Sequence, residues 1–128
     1  MRLLMDSNRF IDFCAGDEEV IHVMESAALL CIPFIVLAEI RAGAFVTRRG
    51  QNQVRVLQQL LNQSGVRSVH GTDSTTHHYA ALYGQLRKAG TPIPTNDIWI
   101  AALAIEHDLI LYSRDAHYEK IPSLARIG

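Results

Sequence analysis

The chain has 128 residues, 48% of them hydrophobic and 20% charged, with a formal net charge of −1. That is the profile of a soluble globular protein, long enough to bury a core of its own, and a single domain over residues 1–128 is expected. Apolar runs fall short of the ~20 residues of a membrane span, and Met1-Arg2 runs straight into Leu3-Leu4-Met5-Asp6 with no signal-peptide profile, so a cytoplasmic protein with no membrane partner is expected.

In chain order, Arg2 to Met5 reads as a short buried strand ending at Asp6. Ser7 and Asn8 suit a strand-to-helix turn, and Ile11, Phe13, Val20, Ile21 and Met24 supply apolar positions for one or two short helices broken near Gly16. Ala28 to Ile32 is a second apolar run, and Pro33 is a good first-turn residue for a helix through Phe34 to Arg41 that stops near Gly43. Glu39 is the one acid in that apolar stretch, where a carboxylate is costly unless paired or bound to a metal. From Gln51 to Gln63, Val54, Leu57, Leu60 and Leu61 recur at helical spacing, the pattern of a half-exposed helix. Val66 to Val69 reads as a weak strand, and Thr72, Asp73 and Ser74 are cap candidates for a helix closed by Lys88 and Gly90.

Pro94-Thr95-Asn96 starts a further helix, apolar on every side from Ile98 to Ile105, with Asp97 in its first turn. Leu109 to Tyr112 is continuous rather than alternating, as in a strand covered on both faces of a parallel sheet, and Asp115 comes just past its end. Ile121, Pro122 and Leu124 read as a closing turn before a short edge strand. Strands alternating with helices predict an α/β fold, a three-layer α/β/α sandwich around a mainly parallel sheet of four or five strands. Asp6 and Asp115 would then lie side by side if their strands are neighbours, an adjacency that the sequence leaves open.

Four acids, Asp6, Glu39, Asp97 and Asp115, each follow or interrupt an apolar run. Taken singly, Asp6, Asp97 and Asp115 are also explained as helix caps or first-turn acids. Taken together they point to a cation, because clustered carboxylates repel and raise one another's pKa unless something neutralises them. All-oxygen ligation suits Mg²⁺ or Mn²⁺, which can polarise a phosphodiester and activate a water.

Leu3-Leu4-Met5-Asp6-Ser7-Asn8, Leu37-Ala38-Glu39-Ile40, Asn96-Asp97-Ile98-Trp99-Ile100-Ala101-Ala102 and Ser113-Arg114-Asp115, followed by Ile121-Pro122, resemble the motifs of PIN-domain ribonucleases of the bacterial VapC toxin type. The resemblance spans nearly the whole chain. It implies a PIN-like fold and metal-dependent endoribonuclease activity on RNA, restrained by a cognate antitoxin, in a protein that forms a homodimer. It also implies that Asp6, Glu39, Asp97 and Asp115 line a catalytic pocket in which Asp6, Asp97 and Asp115 hold Mg²⁺ or Mn²⁺, with Asn8 and Ser113 as polar supports. Ser7 and Ser113 stand where many members carry Thr, and both keep the hydroxyl.

Arg114 has two readings, a contact to substrate phosphate or a pair with a nearby acid. Ten of the twelve basic residues are Arg, and if four acids serve a metal site the remaining nine leave the rest of the molecule basic. The six histidines lack ligand spacing for zinc, and His117, two residues beyond Asp115, could approach substrate but reads better as a surface residue. Cys14 and Cys31, in apolar contexts, read as buried thiols rather than a disulfide. The face carrying Val54, Leu57, Leu60 and Leu61 has two readings, a docking face for a partner or ordinary core. A phospho-acceptor signalling domain also places acids at strand ends, but its acid pair and late Lys are missing. A catalytically silent module of the same fold would fit if one of the four acids were lost, and none is.

Overall fold

The computed structural model describes residues 1–128. Five strands, β1 (Arg2–Met5), β2 (Leu29–Pro33), β3 (Val66–Val69), β4 (Ile110–Tyr112) and β5 (Arg126–Ile127), form one sheet in the order β3-β2-β1-β4-β5. Every neighbouring pair is parallel, with Leu4 opposite Cys31 on one side and opposite Leu111 on the other. Six helices connect them: α1 (Ser7–Cys14), α2 (Glu18–Ser26), α3 (Phe34–Gly43), α4 (Arg48–Leu61), α5 (Asp73–Lys88) and α6 (Thr95–Glu106).

The chain steps outward from β1 to β2 to β3, then jumps back across β1 to add β4 and β5. Right-handed crossovers therefore put α1 to α4 on one face and α5 and α6 on the other. The direction reverses between β1 and β4, and the crevice beyond the C-terminal ends of strands at such a reversal is where open α/β sheets take their ligands. Asp6 follows β1 and Asp115 lies three residues past β4. The backbone N–H of Asp6 donates to the Tyr112 carbonyl at 3.0 Å, so the two strand ends leave the sheet together. The adjacency left open by the sequence is present.

Burial explains why the positions are fixed. Leu3, Leu4 and Met5 of β1 and Leu111 of β4 are fully buried, as are Ala101, Ala102 and Leu103 of α6. Ala101, Ala102, Leu103 and Ala104 are all buried, and α6 packs mainly against α5, where Trp99 stacks on Tyr79 at 4.1 Å. Pro33 differs from its expected place: it ends β2 and caps α3 rather than occupying the first turn. The α4 helix begins earlier than expected, at Arg48, capped by the Thr47 hydroxyl that accepts from Gly50 N–H at 2.9 Å.

The apolar stripe of α4 faces its own core. Leu57 and Leu60 are buried, and Val54 and Leu61 pack against the same cluster. Of the two readings open for these four residues, core packing is the one present, and the most exposed apolar side chains are Phe45 and Val46, in the α3–α4 turn. Cys14 and Cys31 are free, and burial pushes the Cys14 thiol up to about 11, which keeps it protonated and unreactive near neutrality.

Candidate metal centre

Asp6 is buried and caps α1, accepting from Ser7 N–H at 2.8 Å. Its other oxygen, Oδ2, accepts from the Ser113 hydroxyl at 2.8 Å and from the Asn8 amide at 3.4 Å. Ser113, itself buried, also accepts from Asn8 Nδ2 and from the Asp115 backbone N–H, both at 3.1 Å. One serine thus links the acid that follows β1 to the acid that follows β4. Asp115 caps a 3₁₀ turn, Ala116–Lys120, accepting from His117 N–H at 2.9 Å. Capping and cleft placement coexist in Asp6 and Asp115, so the structural explanation for each does not compete with a chemical one.

Asp97 enters from the opposite layer, in the first turn of α6. Its Oδ2 lies 2.8 Å from His117 Nδ1, and its Oδ1 accepts from the Tyr118 hydroxyl at 3.4 Å. Ligand atoms of Asp97, Asp115 and His117 lie within 4.8 Å of one another. The histidine expected at the surface is turned into the cleft instead, because the 3₁₀ turn after Asp115 folds its ring back over the two acids. Tyr118, fully buried, anchors that turn. Neither residue stands in an apolar run, and the only cue in the sequence was their position just past Asp115.

Glu39 differs from its expected setting. It is exposed, because Ile35, Val36, Leu37 and Ile40 take the buried positions of α3 and leave Ala38 and Glu39 on the open side. The argument from a buried unpaired acid therefore does not hold. What remains is charge: partial desolvation, then Asp6 and Asp97, raise the Glu39 carboxyl above its usual range. Arg114 is held away from the four acids by Asp12, with Nε at 3.0 Å from one carboxylate oxygen and Nη2 at 3.2 Å from the other.

A family model for the PIN domain matches residues 3–124. The chain belongs to the PIN-domain family. It is 26% identical over 129 residues to Ribonuclease VapC1 of Haemophilus influenzae, covering 97% of this chain and 95% of that protein. Among solved structures it resembles VapBC2 from Rickettsia felis bound to a promoter DNA fragment, with a TM-score of 0.88 and 23% identity over 99% of this chain and 98% of that one. It also resembles a toxin-antitoxin complex from Klebsiella pneumoniae, with a TM-score of 0.76 and 22% identity over 98% and 96% of the two chains.

The electrostatics of this PIN domain fit a cation. Burial raises the Asp6 carboxyl most, the hydrogen bonds from Ser113 and Ser7 N–H oppose that, and the charges of Asp97 and Asp115 raise it further. The same three acids, after burial, push the Tyr118 hydroxyl far above its ordinary value. No lysine or arginine forms an ion pair with Asp6, Glu39, Asp97 or Asp115, and the one basic side chain touching any of them is His117. Arg9 and Arg114, the guanidinium groups nearest in sequence to Asp6 and Asp115, are both engaged by Asp12. A crowd of carboxylates without a guanidinium or ammonium is the donor set that a hard divalent ion requires.

Proposed function

We propose that this PIN domain is a metal-dependent endoribonuclease of the VapC type, hydrolysing RNA phosphodiesters in the cytoplasm as the toxin of a toxin-antitoxin pair. The observation that carries this reading is the approach of Asp97 and Asp115 ligand atoms to within 4.8 Å beside the β1–β4 reversal, with their charges felt by Asp6, Asp6 and Asp97 felt by Glu39, and no lysine or arginine paired with any of the four. Asp6, Asp97 and Asp115 would hold Mg²⁺ or Mn²⁺, which would supply Lewis acidity at a phosphodiester oxygen and lower the pKa of a water. Ser113 and Asn8 hold the Asp6 carboxylate in place. Tyr118 does the same for Asp97. Glu39, exposed and with a raised carboxyl, is the acid best suited to exchange a proton with solvent at the open side. Arg114 spends Nε and Nη2 on Asp12 and keeps Nη1 for a substrate phosphate at the edge of the cleft.

RNA as substrate is supported by the ribonuclease relative, and unpaired RNA by the way sequence-specific readers reach bases outside a duplex. An antitoxin partner is supported by the likeness to a toxin-antitoxin complex and by a groove between α1 and α4 whose lining combines Ile11, Cys14 and Val56 with Arg49 and Asn52. Phe45, almost fully exposed at 94%, and Val46 offer a second apolar contact, for which we propose a homodimer.

The test is cleavage of single-stranded RNA and of duplex DNA by purified protein in Mg²⁺, in Mn²⁺ and in EDTA. The expected result is RNA cleavage in either cation, abolished by EDTA. Cleavage confined to double-stranded DNA, or indifferent to EDTA, would overturn the proposal. Stoichiometric cation binding with no cleavage of any RNA would instead mark a silent binding module.

A further inference from the structure

The one side chain in the cleft that is neither a carboxylate nor one of its hydroxyl or amide supports is His117. Its Nδ1 stands 2.8 Å from Asp97 Oδ2 and 3.2 Å from Asp115 Oδ1. Donors on adjacent corners of an octahedron with bonds of about 2.1 Å stand about 3.0 Å apart. The imidazole nitrogen thus stands from each oxygen at the spacing of neighbouring ligands of one small ion, and ligand atoms of all three residues lie within 4.8 Å of one another. The ring is held there by two things other than the acids' charge: the His117 N–H bond to Asp115 and the burial of Tyr118 next to it.

We propose that His117 is a nitrogen ligand of the cation, through Nδ1, and that it biases the pocket away from Mg²⁺ and toward a first-row transition ion. This rests on the metal-centre reading above. Mg²⁺ keeps oxygen ligands and water and gains little from an imidazole. Transition ions bind nitrogen donors more strongly, by an amount that rises along the first row from Mn²⁺. A pocket of carboxylates alone would discriminate less between the two. His117 remains 42% exposed at its side chain, so its replacement removes no core contact.

The probe is Mn²⁺ with the full chain, read by pulsed electron paramagnetic resonance for nitrogen coupling to the ion, and by competition of Mg²⁺ against bound Mn²⁺. Wild type should show coupling to one directly bound imidazole nitrogen. His117→Gln, which retains a hydrogen-bond donor for Asp97, should lose that coupling and lower the Mn²⁺-over-Mg²⁺ affinity ratio by about tenfold, the scale of losing one metal-site contact. The wild-type spectrum needs no variant, and the melting temperature of His117→Gln in EDTA verifies that the variant is folded. Mn²⁺ bound at one equivalent and released by Asp97→Asn, with no nitrogen coupling and an unchanged ratio in His117→Gln, would overturn the inference and leave the carboxylate site standing. Mn²⁺ binding that ignores Asp97→Asn, or no binding in wild type, would overturn both.

Discussion

Ser113 is the side chain through which two strands of the sheet act on one carboxylate. Its hydroxyl donates to Asp6 and accepts from Asn8 and from the Asp115 backbone, so all of its hydrogen-bonding capacity is used inside the cleft. Ser113→Ala leaves Asp6 Oδ2 with a single long bond from Asn8 and should weaken cation affinity roughly 10- to 100-fold, the range seen when outer contacts of a metal ligand are removed. Ser113→Thr keeps the hydroxyl and should stay within a few-fold of wild type by calorimetric titration. Equal losses in both would show that side-chain volume rather than the hydroxyl matters.

Asp6 gives a second test, through pH. Its carboxyl is raised in the folded state, chiefly by burial. Such a group contributes stability below its ordinary value near 3.8, and that contribution is lost as pH rises through the higher folded value. Asp6→Asn retains a capping oxygen and cannot ionise. In EDTA, the melting temperature of the variant minus that of wild type should therefore increase as pH rises from about 4 toward neutrality. A difference that falls over the same window would show that the Asp6 charge is stabilised by the fold. Asp12, lowered mainly by its hydrogen bond from Arg114, acts in the opposite sense in both proteins and cancels in the difference.

At the scale of elements, the turn between α3 and α4 rests on a glycine contact. A Cβ on Gly50 would run into the Gly43 carbonyl and the Ala44 nitrogen, whereas one on Gly43 would meet only the Gly50 Cα at 3.9 Å. Gly50→Ala must push the start of α4 away from the end of α3 and should cost about 1–3 kcal/mol, the scale of an overpacked core. Gly43→Ala, at a helical position, should be neutral or slightly stabilising. Chemical denaturation separates the two, and equal effects would contradict the close approach. The elements also show what was readable in advance. The strands flanking the site were legible because β1 and β4 are covered on both faces and so read as unbroken apolar runs. The side of a helix was harder: α4 carries a stripe that fits a partner or a core equally well, and only the position of β2 and β3 decided for the core. Glu39 was singled out on a burial argument that its exposed setting removes, since periodicity within a ten-residue apolar helix hardly distinguishes its one open side. His117 was legible only through its nearness to Asp115, with the surface reading preferred, and Tyr118 was missed as a cleft residue, because a 3₁₀ turn after the last acid leaves no periodic trace.

On the scale of the whole molecule, the arrangement trades stability for function. Asp97 and Asp115 bring ligand atoms within 4.8 Å of each other, their charges act on Asp6, no lysine or arginine pairs with any of the three, and Glu39 feels Asp6 and Asp97 from α3. A bound divalent ion relieves their repulsion and favours the folded state by mass action. The most direct measurement is the melting temperature, taken together with RNA cleavage, of wild type and Asp97→Asn in EDTA and in Mn²⁺. Wild type should gain melting temperature with Mn²⁺ and cleave RNA, while Asp97→Asn should be at least as stable as wild type in EDTA, gain little from Mn²⁺ and lose cleavage. A variant that is less stable than wild type in EDTA yet fully active in Mn²⁺ would reduce Asp97 to a helix-start acid and contradict the shared carboxylate site.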